Sequence, residues 1–235
     1  MRELIFIILF FPFTFVMGIL SIISMLITGK KEVGFFFAKQ WSKALIKLAG
    51  IKVKVIGKEN IALNDETVIY ISNHQSLFDI PLLYANTQKP FIIMAKKSLF
   101  QIPIFGWHLS LAGNIAIDRK DPLRSAESLF KALKKSKMNY SILLFPEGTR
   151  SLNGKLLSFK KGAFILAKRV KKPIILVIIK GTKNILPKGK IYLTKGTAEL
   201  EFMPSLPIEK INNYSIDELS AYIWQLMNER IETAT

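Results

Sequence analysis

The chain has 235 residues, half of them hydrophobic, and 34 Lys and Arg against 17 Asp and Glu give a formal net charge of +17. That length fits one compact domain plus a membrane segment, and a mean hydropathy of +0.28 is high for a freely soluble protein. The absence of cysteine excludes disulfides, thiol catalysis and Cys-type zinc sites, while greasiness joined to basicity favours an anionic lipid surface over nucleic acid.

From Leu4 to Thr28 no charged residue occurs. As a helix this stretch would be about 37 Å long, enough to cross a hydrocarbon core of about 30 Å. Glu3 and the lack of an Ala-x-Ala-like end argue against a cleaved signal peptide. Pro12 removes a helix hydrogen bond and invites a kink, so a single span and a monotopic dip into one leaflet both fit. Lys30 and Lys31 begin the basic remainder, which the positive-inside rule places on the cytoplasmic side of the cell membrane. Residues 32–49 keep helical apolar spacing and end at Gly50. Phe35, Phe36, Phe37 and Trp41 fit a second membrane-surface helix, and a helix packed on the domain core fits nearly as well.

After Gly50 short β-rich runs alternate with helical stretches. The expected strands are Ile51–Ile56, Val68–Ser72, Phe91–Ala95, Asn114–Ile117, Tyr140–Phe145, Ile174–Ile179, Ile191–Thr194 and Glu199–Met203. Helices are expected at Leu77–Tyr84, Leu99–Leu111, Leu123–Lys137, Lys161–Val170 and Ile216–Ile231, the last opened by a Ser215–Glu218 capping box. This pattern predicts an α/β fold with a mainly parallel or mixed sheet flanked by helices. Residues 1–49 form an N-terminal membrane-associated two-helix segment, and 50–235 the α/β domain.

Only two histidines exist, His74 and His108. His74 lies just past the apolar run Val68–Ser72, in the polar stretch Asn73-His74-Gln75-Ser76-Leu77-Phe78-Asp79. Ligands collect at the carboxyl ends of strands in α/β sheets, and a histidine held by a carboxylate is a good general base. Ser76-x-x-Asp79 is equally a capping box, which explains both residues by helix initiation alone. On an ideal helix His74 and Asp79 would not share a face, so they meet only if His74 precedes the first turn. Two further strand-end clusters follow: Gly113 to Arg119, and Phe145-Pro146-Glu147-Gly148-Thr149-Arg150-Ser151, whose amides and Arg150 suit an anion.

Together the His74 and Glu147 blocks resemble the 1-acyl-sn-glycerol-3-phosphate acyltransferase family, in its order and approximate spacing. The segment Gly113–Arg119 is similar to the family's second motif and Pro173–Thr182 to its fourth, which departs at Leu176-Val-Ile-Ile179, where a second proline is common. The resemblance implies transfer of an acyl group from acyl-CoA or acyl carrier protein to the sn-2 hydroxyl of lysophosphatidic acid, giving phosphatidic acid. It assigns catalysis to His74 and Asp79, and acceptor binding to Arg119, Glu147, Gly148, Thr149 and Arg150. Amides near the first motif would stabilise the oxyanion; no metal, cofactor or nucleic acid is implied. A silent lipid-binding module and a lipid hydrolase using the same pair are the rival classes.

Overall fold

The computed structural model of the chain describes residues 2–62, 67–117, 130, 140–190 and 192–233. The strand β6 (Ile174–Lys180, sequence IILVIIK) explains the rest of the architecture, because its first six residues are all buried. A strand apolar on both faces belongs in the middle of a sheet covered on both sides. Ile175, Val177 and Ile179 join one core cluster, and Ile174, Leu176 and Ile178 the other. The same two-residue period divides β2 (Ile69–Ser72) and β5 (Ser141–Leu144), both fully buried.

These three are the centre of a mixed seven-stranded sheet ordered β1-β7-β6-β2-β5-β3-β4. β1 is Ile51–Ile56, β3 Phe91–Lys96, β4 Ile115–Ile117 and β7 Gly196–Phe202. Pairings from β6 through β2, β5, β3 and β4 are parallel, β7 runs antiparallel to β6, and β1 runs parallel to β7. Lys54 and Glu199 face each other in the β1–β7 register and pair at 2.9 Å.

One sheet face is covered by α2 (Glu32–Ala49) and α4 (Asp79–Asn86), through Leu45, Ile46, Leu82 and Leu83. The opposite face carries α6 (Lys161–Val170) and α9 (Ile216–Glu232), through Phe164, Leu166, Leu219, Ile223 and Met227. The expected capping box opens α9: Glu218 N–H donates to Ser215 Oγ, and Ser215 N–H to the Glu218 carboxylate. Among the described residues other helices are short: α3 (Glu59–Ala62), α5 (Phe105–Leu111), α7 (Thr182–Ile185) and α8 (Ile208–Asn212).

The first helix, α1 (Arg2–Thr28), runs through Pro12 without interruption. Its stretch Phe6–Thr28 has a mean hydropathy of 2.6 and is long and apolar enough to cross a membrane. Only a narrow stripe faces the protein. Trp41 Nε1 donates to Thr14 Oγ1 at 3.0 Å, Ser21 Oγ meets His108 Nδ1 at 3.0 Å, and Met25 is buried. Ile8, Phe11, Phe15, Leu26 and Ile27 stay exposed, an apolar surface that marks the chain as membrane-associated. Phe6 reaches Phe78, with ring centroids 6.4 Å apart, so the start of α1 lies beside the loop that carries His74.

Two expectations change. The stretch Leu99–Leu111 is not one helix but a 3-10 segment, Lys97–Gln101, followed by α5. Pro103 and Ile104 separate them, because Ile104 sits in the left-handed region (φ 64°) and Phe105 N–H donates to Pro103 O in a γ-turn. Residues 192–194 are not a strand; Thr194 N–H donates to Ile185 O instead, and β7 starts at Gly196, opposite Ile51. Arg119 and, apart from Phe130, the expected helix Leu123–Lys137 lie outside the described residues.

Candidate active site

Because β6, β2 and β5 are adjacent and parallel, their carboxyl ends release three loops side by side: 73–78, 145–160 and 181–195. Asn73 stitches the first to the end of β6, the strand from which the third departs. Its side chain acts as a peptide group, donating Nδ2–H to Ile179 O and accepting Ile179 N–H, both at 2.8 Å.

That tie starts the loop in which His74 sits ahead of α4, the one arrangement that lets it meet Asp79. The His74 Nδ1 to Asp79 Oδ2 distance is 2.7 Å. The same oxygen accepts the amides of Gln75 (2.6 Å) and Ser76 (2.9 Å), so initiation of α4 and orientation of the imidazole fall on one atom. The other oxygen, Oδ1, accepts the Thr182 hydroxyl at 2.6 Å, and both residues are fully buried. With Nδ1 on the carboxylate, Nε2 is the free nitrogen, and it has no partner among the described residues. The ring stacks on Phe145, centroids 4.2 Å apart, and its side chain remains 13% exposed. An oriented imidazole with one nitrogen open to its surroundings is the geometry a general base needs.

Glu147 stands behind this pair. Oε1 accepts the His74 amide at 2.7 Å and Oε2 the Leu157 amide at 2.9 Å. Burial pushes its carboxyl up to about 7 against the pull of those two amides, and the nearby Asp79 charge adds to the rise. Ser151 N–H donates to His74 O at 2.8 Å, a second tie between the two loops. Phe145-Pro146-Glu147-Gly148 is a turn closed by Gly148 N–H to Phe145 O, and Gly148 (φ 68°) ends it in the left-handed conformation that glycine adopts most easily. Beyond the turn, Thr149 and Arg150 are half-buried, and Lys188 from the third loop donates to Thr149 Oγ1 (3.0 Å) and Arg150 O (2.8 Å).

The structure therefore brings His74, Asp79, Glu147, Gly148, Thr149 and Arg150 to one sheet edge. One expectation is revised. The amides of His74, Gln75, Ser76 and Phe78 are already bonded to Glu147, Asp79, Asp79 and Ser76 respectively, so these four are not oxyanion donors. Ser76 Oγ donates to Leu186 O and accepts from Phe78 N–H. Thr182 and Lys188 were not foreseen. Thr182 opens α7 two residues beyond β6, but nothing in the local sequence ties it to a residue 103 positions earlier.

The Acyltransferase family model matches residues 52–180. A chloroplastic 1-acyl-sn-glycerol-3-phosphate acyltransferase from Arabidopsis thaliana is 36% identical over 68% of this chain, which spans 44% of that relative's length. The 1-acyl-sn-glycerol-3-phosphate acyltransferase of Salmonella typhimurium is 35% identical, over 80% of this chain and 76% of its own. The crystal structure of the 1-acyl-sn-glycerophosphate acyltransferase PlsC from Thermotoga maritima superposes with a TM-score of 0.85 at 27% identity, covering 99% of this chain and 94% of that one. Since the His74–Asp79 pair and the Glu147 loop both fall inside the matched stretch, fold and site agree, and the chain belongs to the 1-acyl-sn-glycerol-3-phosphate acyltransferase family.

Proposed function

We propose that the protein moves a fatty acyl group from acyl-CoA or acyl carrier protein to the sn-2 hydroxyl of lysophosphatidic acid, producing phosphatidic acid for phospholipid synthesis. The observation that carries this reading is the 2.7 Å contact between His74 Nδ1 and a fully buried Asp79, with Nε2 left unpartnered among the described residues. Nε2 takes the proton of the acceptor hydroxyl as its oxygen attacks the thioester carbonyl, and Asp79 balances the imidazolium. Collapse of the tetrahedral intermediate breaks the C–S bond, and the imidazolium returns the proton to the departing thiolate. No acyl-enzyme, metal or cofactor enters this sequence.

Gly148, Thr149 and Arg150 receive the acceptor phosphate, with Arg119 joining them from beyond β4. Glu147 belongs to the same loop, but its oxygens serve the His74 and Leu157 amides, which suits a positioning role for it. Residues 1–49 attach the protein to the cell membrane, as a monotopic or single-span anchor, and residues 50–235 work on the cytoplasmic side. The exposed apolar face of α1 and the basic remainder of the chain support that placement.

The test is phosphatidic acid formation by detergent-solubilised protein given lysophosphatidic acid with either thioester, beside His74→Ala. Product from wild type and a loss of at least about a hundredfold in the variant, at unchanged melting temperature, is expected for removal of a general base. A folded His74→Ala protein with near-normal turnover overturns the role of His74. Thioester consumed with release of free fatty acid instead of a new ester overturns the reaction.

A further inference from the structure

Lys188 holds a half-buried cation for which the described residues provide no carboxylate. A turn presents it: Lys190 N–H donates to Pro187 O at 3.2 Å, with Gly189 in the left-handed region (φ 78°). This is the backbone that a glycine in third place supports. The ammonium has three protons. Two go to neutral acceptors, Thr149 Oγ1 at 3.0 Å and Arg150 O at 2.8 Å. The carboxylate of the facing loop, Glu147, is bonded to two amides instead. A partly desolvated ammonium without a counter-charge is costly unless an anion joins it.

The surroundings are those of an anion site. Thr149 Oγ1 accepts from Lys188, which leaves the hydroxyl hydrogen free to donate outward. The Thr149 amide has no partner among the described residues, and the Arg150 side chain starts one residue further on. One ammonium, one hydroxyl and one amide thus gather where the second and third loops meet, and among the described residues no carboxylate pairs with Lys188.

We propose that Lys188 is a binding residue for the phosphate monoester of the acceptor, completing from the third loop a pocket that the Thr149–Arg150 loop begins. This rests on the acyltransferase reading above. A phosphate seated there is bridged between the loops after β5 and β6, while the acceptor hydroxyl faces His74 on the loop between them. Lys188 then acts on acceptor recognition and not on the chemistry at His74.

The experiment compares wild type, Lys188→Met and Lys188→Arg in mixed micelles, varying lysophosphatidic acid and thioester separately and adding glycerol 3-phosphate as a competing head group. Loss of one charge-assisted hydrogen bond to phosphate is expected to raise the acceptor KM about tenfold or more in Lys188→Met. The inhibition constant of glycerol 3-phosphate should rise in parallel, with kcat and thioester KM within about threefold of wild type. Lys188→Arg keeps the charge and should recover most of the acceptor affinity. An unchanged acceptor KM in Lys188→Met overturns the proposal. So does a loss shared equally by kcat and both KM values and not rescued by arginine, because that pattern marks collapse of the loop. If wild type forms no phosphatidic acid with either donor, it is the acyltransferase reading that fails, and retained glycerol 3-phosphate binding in wild type but not Lys188→Met still tests Lys188.

Discussion

Replacing Thr182 with valine removes one hydroxyl and almost no volume, and the structure specifies what that hydroxyl does. It donates to Asp79 Oδ1 at 2.6 Å, with both residues at 0% exposure. No water can take its place in so tight a contact, so Thr182→Val leaves a carboxylate oxygen buried beside a methyl group. Hydrogen bonds to charged groups contribute about 1.5–3 kcal/mol, and for a chain of this size each 1 kcal/mol shifts Tm by about 2–4 °C. A fall in Tm of roughly 3–12 °C is therefore expected. Activity should fall as well, because the Oδ1 bond joins the Gln75 and Ser76 amides on Oδ2 in fixing the carboxylate against His74 Nδ1. Steady-state rates with both substrates varied should show kcat reduced about tenfold, with neither KM changed. Thr182→Ser keeps the hydroxyl and should recover kcat. In an Asp79→Asn background the valine substitution should add little, since its target is already altered. Wild-type kcat in a folded Thr182→Val protein refutes this account, and so does an equal loss of kcat in valine and serine variants.

Two pH dependences follow from buried groups at other positions. Glu147 has its carboxyl raised from an ordinary 4.5 to about 7 by burial, so it holds its proton more tightly folded than unfolded. Its contribution to stability is complete below pH 4.5 and disappears as pH rises to about 7; melting curves of wild type should decline across that window more steeply than those of Glu147→Gln, and equal slopes would dismiss the effect. His108 runs the other way, because burial lowers it from 6.5 to about 4. Its contribution is present above pH 6.5 and is lost as pH falls towards 4, so wild type should lose more Tm than His108→Gln between those values, and matching losses would count against it.

The sheet was legible where burial imposes a period. The runs Val68–Ser72, Tyr140–Phe145 and Ile174–Ile179 are apolar on both faces, and they became the three central strands within a residue or two. Ile191–Thr194 looked equally β-like, yet residues 192–194 fold back on α7 through Thr194. The partner of β1 starts instead at Gly196, a residue that reads as a turn. Helix breaking at Ile104 was hidden for a similar reason: Pro103 disfavours helix at the residue before it, whereas the left-handed φ falls on the residue after. In the site, His74 and Asp79 could be paired from spacing and strand position. Thr182 and Lys188 could not, since their partners are 103 and 38–39 positions away, and only the strand order β6-β2-β5 brings those loops together.

The ties among those three loops close on themselves. The first is bonded to the third through Ser76 and, where it enters α4, through Asp79, and to the second through His74 and Gln75. The second is bonded to the third through Lys188, and through Lys183 to Asn153 O at 2.6 Å. A closed ring of cross-links has no free end from which to fray. No loop can lift away without breaking bonds to both of the others, so the amide protons of His74, Ser76 and Ser151 are expected to exchange with solvent through one shared, sub-global opening instead of three local ones. Rearrangements that admit a lipid are then left to the elements around the ring, with the apolar start of α1 beside Phe78 the nearest of them.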